Sequence, residues 1–272
     1  MKRGREKGEK IMMETKLVLL GTGTPNACPD ASGPSSAVVV GDRAYLIDFG
    51  PGVVRQAAKA YRNGIDALRP DRLVTAFCTH LHTDHTAGYP DLIFTPWVLE
   101  RKEPLRVFGP KGIRNMTDHL LKAYKVDIDF RINGFEKANE VGYRVETQEI
   151  TSGVIYRDDR VTVEAFPVSH GTLESYGFKF TTPDRVIVIS GDTGFLHDAD
   201  LFHTKAIALM GPTAFGYPTG KQVEVIEVDL PCRPCTKDGH GKCKQSTWQK
   251  CMVDILPKRV VDTALRILDF KF

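Results

Sequence analysis

The chain of 272 residues is long enough for one large domain or two modest ones. Hydrophobic residues make up 42% of it and charged residues 26%, the profile of a soluble globular protein rather than a disordered chain. The net charge of +3 is too small to indicate a nucleic-acid-binding protein by itself. No apolar run approaches the roughly 18 residues that a membrane-spanning helix needs.

The first 13 residues, MKRGREKGEKIMM, form a basic leader that we expect to be disordered. The apolar run that follows it, LVLL, is shorter than the about 7–15 residues of a secretion signal's apolar core. The sequence therefore predicts a cytoplasmic protein.

Short runs of β-branched and aromatic residues dominate the chain up to about residue 190, and turn sequences such as VGDR and TPDR separate them. Seven runs are predicted to be strands: KLVLL, AVVV, RAYLID, RLVTAFC, RVTVEAFPV, YGFKFTT and RVIVIS. Apolar residues at helical spacing predict helices at residues 53–62 and 112–126. This order indicates an α/β fold with many antiparallel hairpins.

The character of the chain changes after about residue 198. AIALMGPT is typical of a strand followed by a turn, and QVEVIEVD alternates like an edge strand. PKRVVDTALRIL is predicted to be an amphipathic helix that begins near Pro257. We interpret this last block as a fragment of a second unit.

Three of the eight histidines of the chain fall within six residues, in the sequence HLHTDH. His80 and His82 are two residues apart at the end of a predicted strand, so their side chains can point the same way. Asp84 and His85 follow on the next turn. Imidazole nitrogens with a carboxylate suit zinc, and iron or manganese less well. The alternative, a polar loop that happens to be rich in histidine, is disfavoured by this density.

HLHTDH matches the HxHxDH signature of the metallo-β-lactamase superfamily, and other segments agree with that family in order along the chain. LGTGTP and YLIDFGPG resemble the opening strands of its ribonuclease Z-like and arylsulfatase-like branches. The resemblance covers about residues 14–193. It implies an αββα sandwich with the metals at one edge, whose C-terminal part is replaced in this chain.

The resemblance also implies a ligand set for two divalent cations, with zinc expected in both. The implied ligands are His80, His82 and His170 for the first cation, and Asp84, His85 and the bridging Asp192 for the second. Asp48 matches a carboxylate that orients a ligand imidazole from behind, so Asp48 and Asp84 are the candidate catalytic carboxylates. Two cations would lower the pKa of a shared water, and the resulting hydroxide would attack phosphorus, sulfur or a carbonyl carbon.

One ligand of the family is missing from this pattern. The second cation normally receives a further histidine downstream of the bridging aspartate. The histidines that remain are His197, His203 and His240, and none follows a predicted strand in the expected way. The second cation is therefore expected to be bound less completely than the first. His119, in a predicted helix, is expected to be a surface residue.

From GDTGFLH onward the chain resembles a second family, the lipopolysaccharide heptosyltransferases. The matching segments are DTGFLH, IALMGPT, a cysteine-rich loop and PKRVVDTALRIL. The match covers about residues 191–272 and implies a partial Rossmann-like donor-binding fragment, whose DTG turn would lie beside the phosphates of a nucleotide-sugar. We therefore divide the chain into 1–13, 14–193 and 194–272, with a fusion expected at the shared tetrapeptide GDTG.

Four of the six cysteines lie within twenty residues near the end of the chain, and these are Cys232, Cys235, Cys243 and Cys251. In a chain without a secretion signal, such a cluster indicates metal binding more often than disulfides. Two interpretations stay open, a structural zinc site with four thiolates and a reduced loop without metal.

The function predicted from these patterns is hydrolysis of phosphodiester bonds, by a metal-bound hydroxide, in the manner of ribonuclease Z. Other esters and RNA are open as substrates, and residues 126–155 are neither basic nor Gly-Pro-rich enough to resemble a tRNA-gripping arm. One alternative is an inactive, metal-poor relic that lacks the last histidine. Another is a nucleotide-sugar-binding fragment of a glycosyltransferase. Because the closing part of the sandwich is replaced, exposed apolar edges predict a homo-oligomer or other self-association.

Overall fold

The computed structural model describes residues 13–23, 25, 29–168, 170, 172–191, 205–212, 221–235 and 242–267. The chain divides into two compact units, Met1–Gly191 and Asp192–Phe272, and each is described by itself. No helix within the described ranges is both long and apolar enough to cross a membrane.

The first sheet of the first unit contains six strands among the described residues. In chain order they are β1 (Thr15–Gly21), β2 (Ser35–Val40), β3 (Arg43–Ile47), β4 (Thr75–Phe77), β5 (Leu105–Gly109) and β6 (Val145–Glu149). They lie side by side in that same order. The pairs β1–β2 and β2–β3 are antiparallel, while the pairs from β3 to β6 are parallel. Parallel neighbours bring the carboxyl ends of β3 and β4 to one edge of the sheet.

The second sheet is an antiparallel meander. Its strands are β7 (Gly153–Arg157), β8 (Thr162–Pro167), β9 (Tyr176–Thr181) and β10 (Val186–Ile189), in the spatial order β10-β9-β8-β7. The edge strand β10 exposes Val186 and Val188. An exposed apolar edge of this kind is compatible with the predicted self-association, which stays a prediction.

Helices of the first unit occupy the connections that parallel strands require. They are α1 (Val53–Arg62), α2 (Thr83–Thr86), α3 (Tyr89–Val98), α4 (Ile113–Ala123) and α5 (Lys125–Asn133). The bounds predicted for α1 are confirmed. The single helix predicted for residues 112–126 is wrong in extent, because α4 ends at Ala123 and α5 begins at Lys125. Helix α3 was not predicted, since its sequence is apolar on all sides and shows no helical periodicity.

Alternation along the strands of the first sheet creates two separate cores. In β2, Ala37 and Val39 pack with residues of the helices, whereas Val38 and Val40 pack with the second sheet. The first unit is thus layered as helices, first sheet and second sheet. The predicted αββα sandwich has a further helical layer, but the described helices of the first unit all lie between β3 and β6. In the part of this unit that the structure describes, the sandwich has three layers.

One carboxylate ties the two sheets together. Asp184, in the turn between β9 and β10, accepts hydrogen bonds from the backbone N–H of Thr15 (3.2 Å) and from its hydroxyl. Thr182 also donates its hydroxyl to Asp184 at 3.1 Å. These bonds, and the Thr15 hydroxyl most of all, lower the pKa of Asp184. Since Thr15 belongs to β1, this carboxylate joins the edge of the first sheet to the second.

This carboxylate makes folding stability depend on pH. Because the folded pKa lies below the unfolded value of about 3.9, the stabilisation is complete above that value and is lost as pH falls through the folded pKa. We expect Asp184→Asn to be less stable than the wild type at pH 7, with the difference narrowing below about pH 4. Urea unfolding at several pH values measures this. A difference between Asp184→Asn and wild type that is constant with pH would contradict the assignment.

The second unit contains a parallel pair of strands, β11 (Ala206–Met210) and β12 (Val223–Glu227). Two helices follow, α6 (Lys250–Val253) and α7 (Pro257–Ile267), and the latter begins at the predicted proline. Its Arg266 forms an ion pair with Glu224 of β12. Among the described residues of this unit, Ala206, Ala208, Met210 and Val223 form a buried apolar cluster, and Ile226 and Ile255 are buried as well.

Candidate metal centre

Three histidines from two separate parts of the first unit meet at the edge where β3 and β4 end. His80 follows β4, His82 precedes α2, and His170 lies in the turn between β8 and β9. The loop after β4 is held between the sheets, because Cys78 donates its N–H to Phe108 O (2.7 Å) and Tyr176 donates its N–H to Thr79 O (2.9 Å). The junction of the two sheets therefore brings His170 to the two histidines of the HLHTDH loop.

The ring nitrogens of the three histidines converge on one point. His82 Nδ1 lies 3.1 Å from His80 Nε2 and 3.1 Å from His170 Nε2. Zn–N bonds of about 2.0–2.1 Å at tetrahedral angles place nitrogens about 3.4 Å apart, so this spacing is close to that of a zinc site. Among the described residues, one group of three or more candidate ligands has all its ligand atoms within 4.8 Å of one another, and it consists of these three histidines.

The cluster is buried on one side and open on the other. His80 is fully buried, His170 is half-buried and His82 is exposed. Three protein ligands with an open side are the arrangement of catalytic rather than structural zinc sites. The residues present therefore fit a divalent cation that can take a fourth ligand from solution.

Asp48 supports two of the histidines from behind. Its Oδ2 accepts from His85 Nδ1 at 2.8 Å, and its carboxylate also accepts from the hydroxyl of Thr79 at 2.9–3.0 Å and from the N–H of Thr79 at 2.7 Å. The Thr79 oxygen in turn lies 2.9 Å from His80 Nδ1. Since the Thr79 proton is given to Asp48, this oxygen accepts from His80 Nδ1–H. Both imidazoles are thereby held with Nε2 free of hydrogen and directed away from Asp48.

The backbone of Asp48 adopts a conformation that few residues tolerate. Its φ of 58° lies in the left-handed region, where Asp and Asn are enriched among non-glycine residues. The conformation turns the chain out of β3 so that the buried carboxylate faces the HLHTDH loop. The Asp48 N–H is bonded to Phe77 O at 2.8 Å, which fixes the turn against β4.

Asp84 and His85 form a second pair beside the three histidines. Both are buried, and His85 Nε2 lies 3.7 Å from Asp84 Oδ2. The His85 ring centroid is 4.2 Å from that of His80. The structure thus brings together five of the six predicted metal ligands and the supporting Asp48.

The sixth predicted ligand, Asp192, lies outside the described residues, as do His197, His203 and His240. Gly191, two residues after the end of β10, is described. A Cβ at this position would lie 2.9 Å from the Thr79 side chain. Its φ of 68° and this close approach require glycine. His119 is exposed and its ring bonds Asn115 O of its own helix, as expected of a surface histidine.

Thr79 connects the residues of the candidate site, although no sequence pattern indicated it. It links Asp48 to His80 through its side chain and links the loop to β9 through its carbonyl. A threonine between an apolar strand and a histidine carries no distinctive pattern, so only the contacts reveal it.

Residues 43–217 match the family described as "Beta-lactamase superfamily domain". Ribonuclease Z of Mycobacterium marinum is 35% identical over 182 residues, which cover 65% of this chain and 63% of that protein. Ribonuclease Z of Mycobacterium sp. (strain KMS) is 37% identical over 185 residues, covering 65% and 61%. The chain therefore spans less than two thirds of the length of these relatives.

Two solved structures share the fold. The short form of human tRNase Z aligns with a TM-score of 0.53 and 22% identity, covering 73% of this chain and 79% of that one. The metallo-beta-lactamase fold protein YhfI from Bacillus subtilis aligns with a TM-score of 0.53 and 14% identity, covering 77% of each chain. At these identities the likeness concerns the fold alone.

Proposed function

The chain belongs to the beta-lactamase superfamily, and from this premise we propose that it is a metal-dependent hydrolase of phosphodiester bonds. The observation that carries the proposal is the convergence of three imidazole nitrogens on one point with an open side. The relatives named ribonuclease Z favour a phosphodiester over the other esters that this fold hosts. RNA is included in the proposed substrate class.

Each protein group has a defined task in this proposal. His80, His82 and His170 would hold the first cation, and the exposed His82 marks the side from which a substrate would approach. A divalent cation bound there would lower the pKa of water and neutralise charge on the phosphoryl oxygens. Asp84, whose carboxylate lies 3.7 Å from His85 Nε2, is proposed to accept the proton of the attacking water. Asp48 and Thr79 orient His85 and His80 without contacting the substrate.

A second cation is proposed at Asp84 and His85, with Asp192 as the bridging ligand that the family resemblance implies. Its support is the 3.7 Å separation of the Asp84 and His85 ligand atoms, while Asp192 lies outside the described residues. The histidine that normally completes the second cation site of the family is missing from the sequence pattern. The alternative of a metal-poor relic, in which the first cation alone is bound, therefore stays open. Zinc is proposed for both sites on the basis of the nitrogen-rich ligands.

We infer that residues 14–193 form the hydrolase domain and that residues 194–272 are a heptosyltransferase-like fragment. The parallel pair β11–β12 supports the second assignment, because parallel strands are the unit of nucleotide-binding sheets. The DTGFLH turn lies outside the described residues. Nucleotide-sugar binding therefore stays a prediction and is not the function favoured by the site.

The substrate class is tested with a chromogenic phosphodiester. We expect the full chain, loaded with Zn²⁺ or Mn²⁺, to hydrolyse bis(p-nitrophenyl) phosphate faster than p-nitrophenyl sulfate, a thioester or a lactone, and to stop when a chelator removes the metal. Preferential cleavage of one of the other esters would assign a different substrate class to the same site. A protein that binds the metal but cleaves none of them would support the relic interpretation.

The role of Asp48 is tested by Asp48→Asn. Asparagine tolerates the left-handed backbone, so the change removes mainly the charge and one hydrogen-bond acceptor. Loss of a carboxylate behind a metal-binding histidine costs about 10–100-fold in metal affinity. We expect this loss for the cation that His85 binds, measured by competition with a chelator.

Asp91→Asn is the matched control, because Asp91 is also partly buried but bonds Arg55 and Thr95 instead. Its metal affinity should equal that of the wild type. Unchanged metal affinity in Asp48→Asn would show that Asp48 does not orient a ligand.

A further inference from the structure

The four cysteines of the second unit, which the hydrolase site does not use, border a single cavity. This cavity, called here the thiol cavity, is lined by Cys232, Cys235, Cys243 and Cys251 together with the apolar side chains of Leu230 and Trp248. All four thiols are free of disulfides. Residues that are far apart in the loop are thus brought to one place by the fold of the unit.

The spacing of the cysteines suits a metal loop. Cys232 and Cys235 form a CxxC pair, and Cys243 and Cys251 each follow after a gap of seven residues. A CxxC pair places two sulfurs on one tight turn, and two more thiols from a following loop complete a four-thiolate zinc site. Soft thiolate ligands in a tetrahedral set select zinc among the common divalent cations.

The CxxC turn is fastened to the strands of the unit. Arg233, inside the turn, donates to Gly211 O at 2.8 Å, to Val228 O at 2.7 Å and to Glu227 Oε2 at 2.9 Å. Cys235 donates its N–H to Pro212 O at 3.0 Å. The turn is therefore anchored where β11 and β12 end, which gives the first two sulfurs a fixed position.

The described part of the second unit contains few buried apolar residues. They are the cluster of Ala206, Ala208, Met210 and Val223, together with Ile226, Cys251 and Ile255. Small folding units are commonly stabilised by a disulfide or a structural metal. Zinc binding free energy becomes folding free energy in such units.

We propose that Cys232, Cys235, Cys243 and Cys251 bind one Zn²⁺ as a structural site that holds the second unit together. Each thiol loses its proton to solvent as its S–Zn bond forms, so binding releases up to four protons and changes no oxidation state. In the described conformation no three of these sulfurs lie within 4.8 Å of one another. A change of χ1 rotamer moves a sulfur by about 3 Å, and the proposed site requires such a change at one or more of the four cysteines.

The test uses the full chain with His82→Ala, so that zinc at the histidine cluster does not contribute. We expect about one zinc per chain to remain after dialysis, and Co²⁺ in its place to give the intense near-ultraviolet thiolate charge-transfer bands of a four-thiolate site. Adding Cys235→Ser should lower the zinc content several-fold and remove these bands. Cys78→Ser, the matched control at a buried cysteine of the first unit, should leave both unchanged.

A second measurement on the chain with native cysteines guards against a serine variant that fails to fold. Titration with a mercurial reagent should release the zinc in step with the modification of four thiols. Zinc content far below one per chain in His82→Ala, zinc release that does not follow thiol modification, or a spectrum without thiolate bands would each overturn the proposal. None of these readouts depends on hydrolase activity, so the proposed function can fail or succeed separately.

Discussion

His82→Ala is expected to abolish both metal binding at the histidine cluster and hydrolysis. His82 Nδ1 lies 3.1 Å from His80 Nε2 and from His170 Nε2. Removing it leaves two of the three histidine ligands of the proposed first cation. Loss of an indirect supporting group alone costs about 10–100-fold, so loss of a direct ligand should lower the phosphodiesterase rate by more than about 100-fold. Because His82 is exposed, the fold should be retained, and circular dichroism checks this.

His119→Ala is the matched control for this change. It removes an exposed histidine whose ring bonds Asn115 O of its own helix, and it should leave metal content and rate unchanged. If a weak phosphodiesterase activity survived in His82→Ala with the metal content also preserved, the assigned site would be wrong. If metal is lost and no activity existed before the change, the relic interpretation would be favoured.

Arg101→Met is expected to destabilise the first unit by about 3–5 kcal/mol. Arg101 is fully buried and donates to four backbone carbonyls, namely Leu73 O, Leu92 O, Ile93 O and Gly142 O. Methionine fills a similar volume but leaves these carbonyls without their donor. Burial lowers the pKa of Arg101 to about 10, so the guanidinium still carries its charge at neutral pH. Its distances of 2.7–3.1 Å to carbonyl oxygens show how that charge is accommodated.

Trp97 makes this change measurable in the first unit alone. It is buried beside Arg101 and donates to Asn139 O, while Asn139 donates to Arg101 O. In a Trp248→Phe background, urea unfolding followed by tryptophan fluorescence reports on the first unit. Arg55→Met, at an exposed arginine paired only with Asp91, should change stability by less than about 1 kcal/mol. An equally small effect of Arg101→Met would mean that the carbonyls find other partners.

The HLHTDH loop was predictable because its ligands are close in sequence. Their two-residue spacing marked His80 and His82 as joint ligands, although the structure places both in the loop after β4, which ends at Phe77, and contacts with distant residues fix their directions. Helix α1 was predicted to the residue for a similar reason, since its amphipathic pattern and the glycine before it are both local. Helix α3 was not predicted because it is buried on most of its faces. Its sequence therefore lacks the alternation of apolar and polar residues that marks an amphipathic helix.

Other features depend on residues that meet only in three dimensions. His170 was assigned from a resemblance, and its distance of 88 residues from His82 gives no local rule for its position. Thr79 became visible only through its bonds to Asp48 and His80. Arg101 reads in the sequence as an ordinary surface cation, and only burial with four carbonyls reveals its role.

The sequence by itself determined the set of candidate metal ligands in HLHTDH, because the residue types and their short spacing can be read there directly. It also determined the alternation that gives the first sheet two apolar faces. Only the tertiary structure decided which atoms meet. The junction of the two sheets brings His170 to His82. The left-handed backbone at Asp48 directs its carboxylate to His85 and to Thr79, which bonds His80. These contacts arise from packing between distant segments, and packing energies depend on the whole fold rather than on any local pattern.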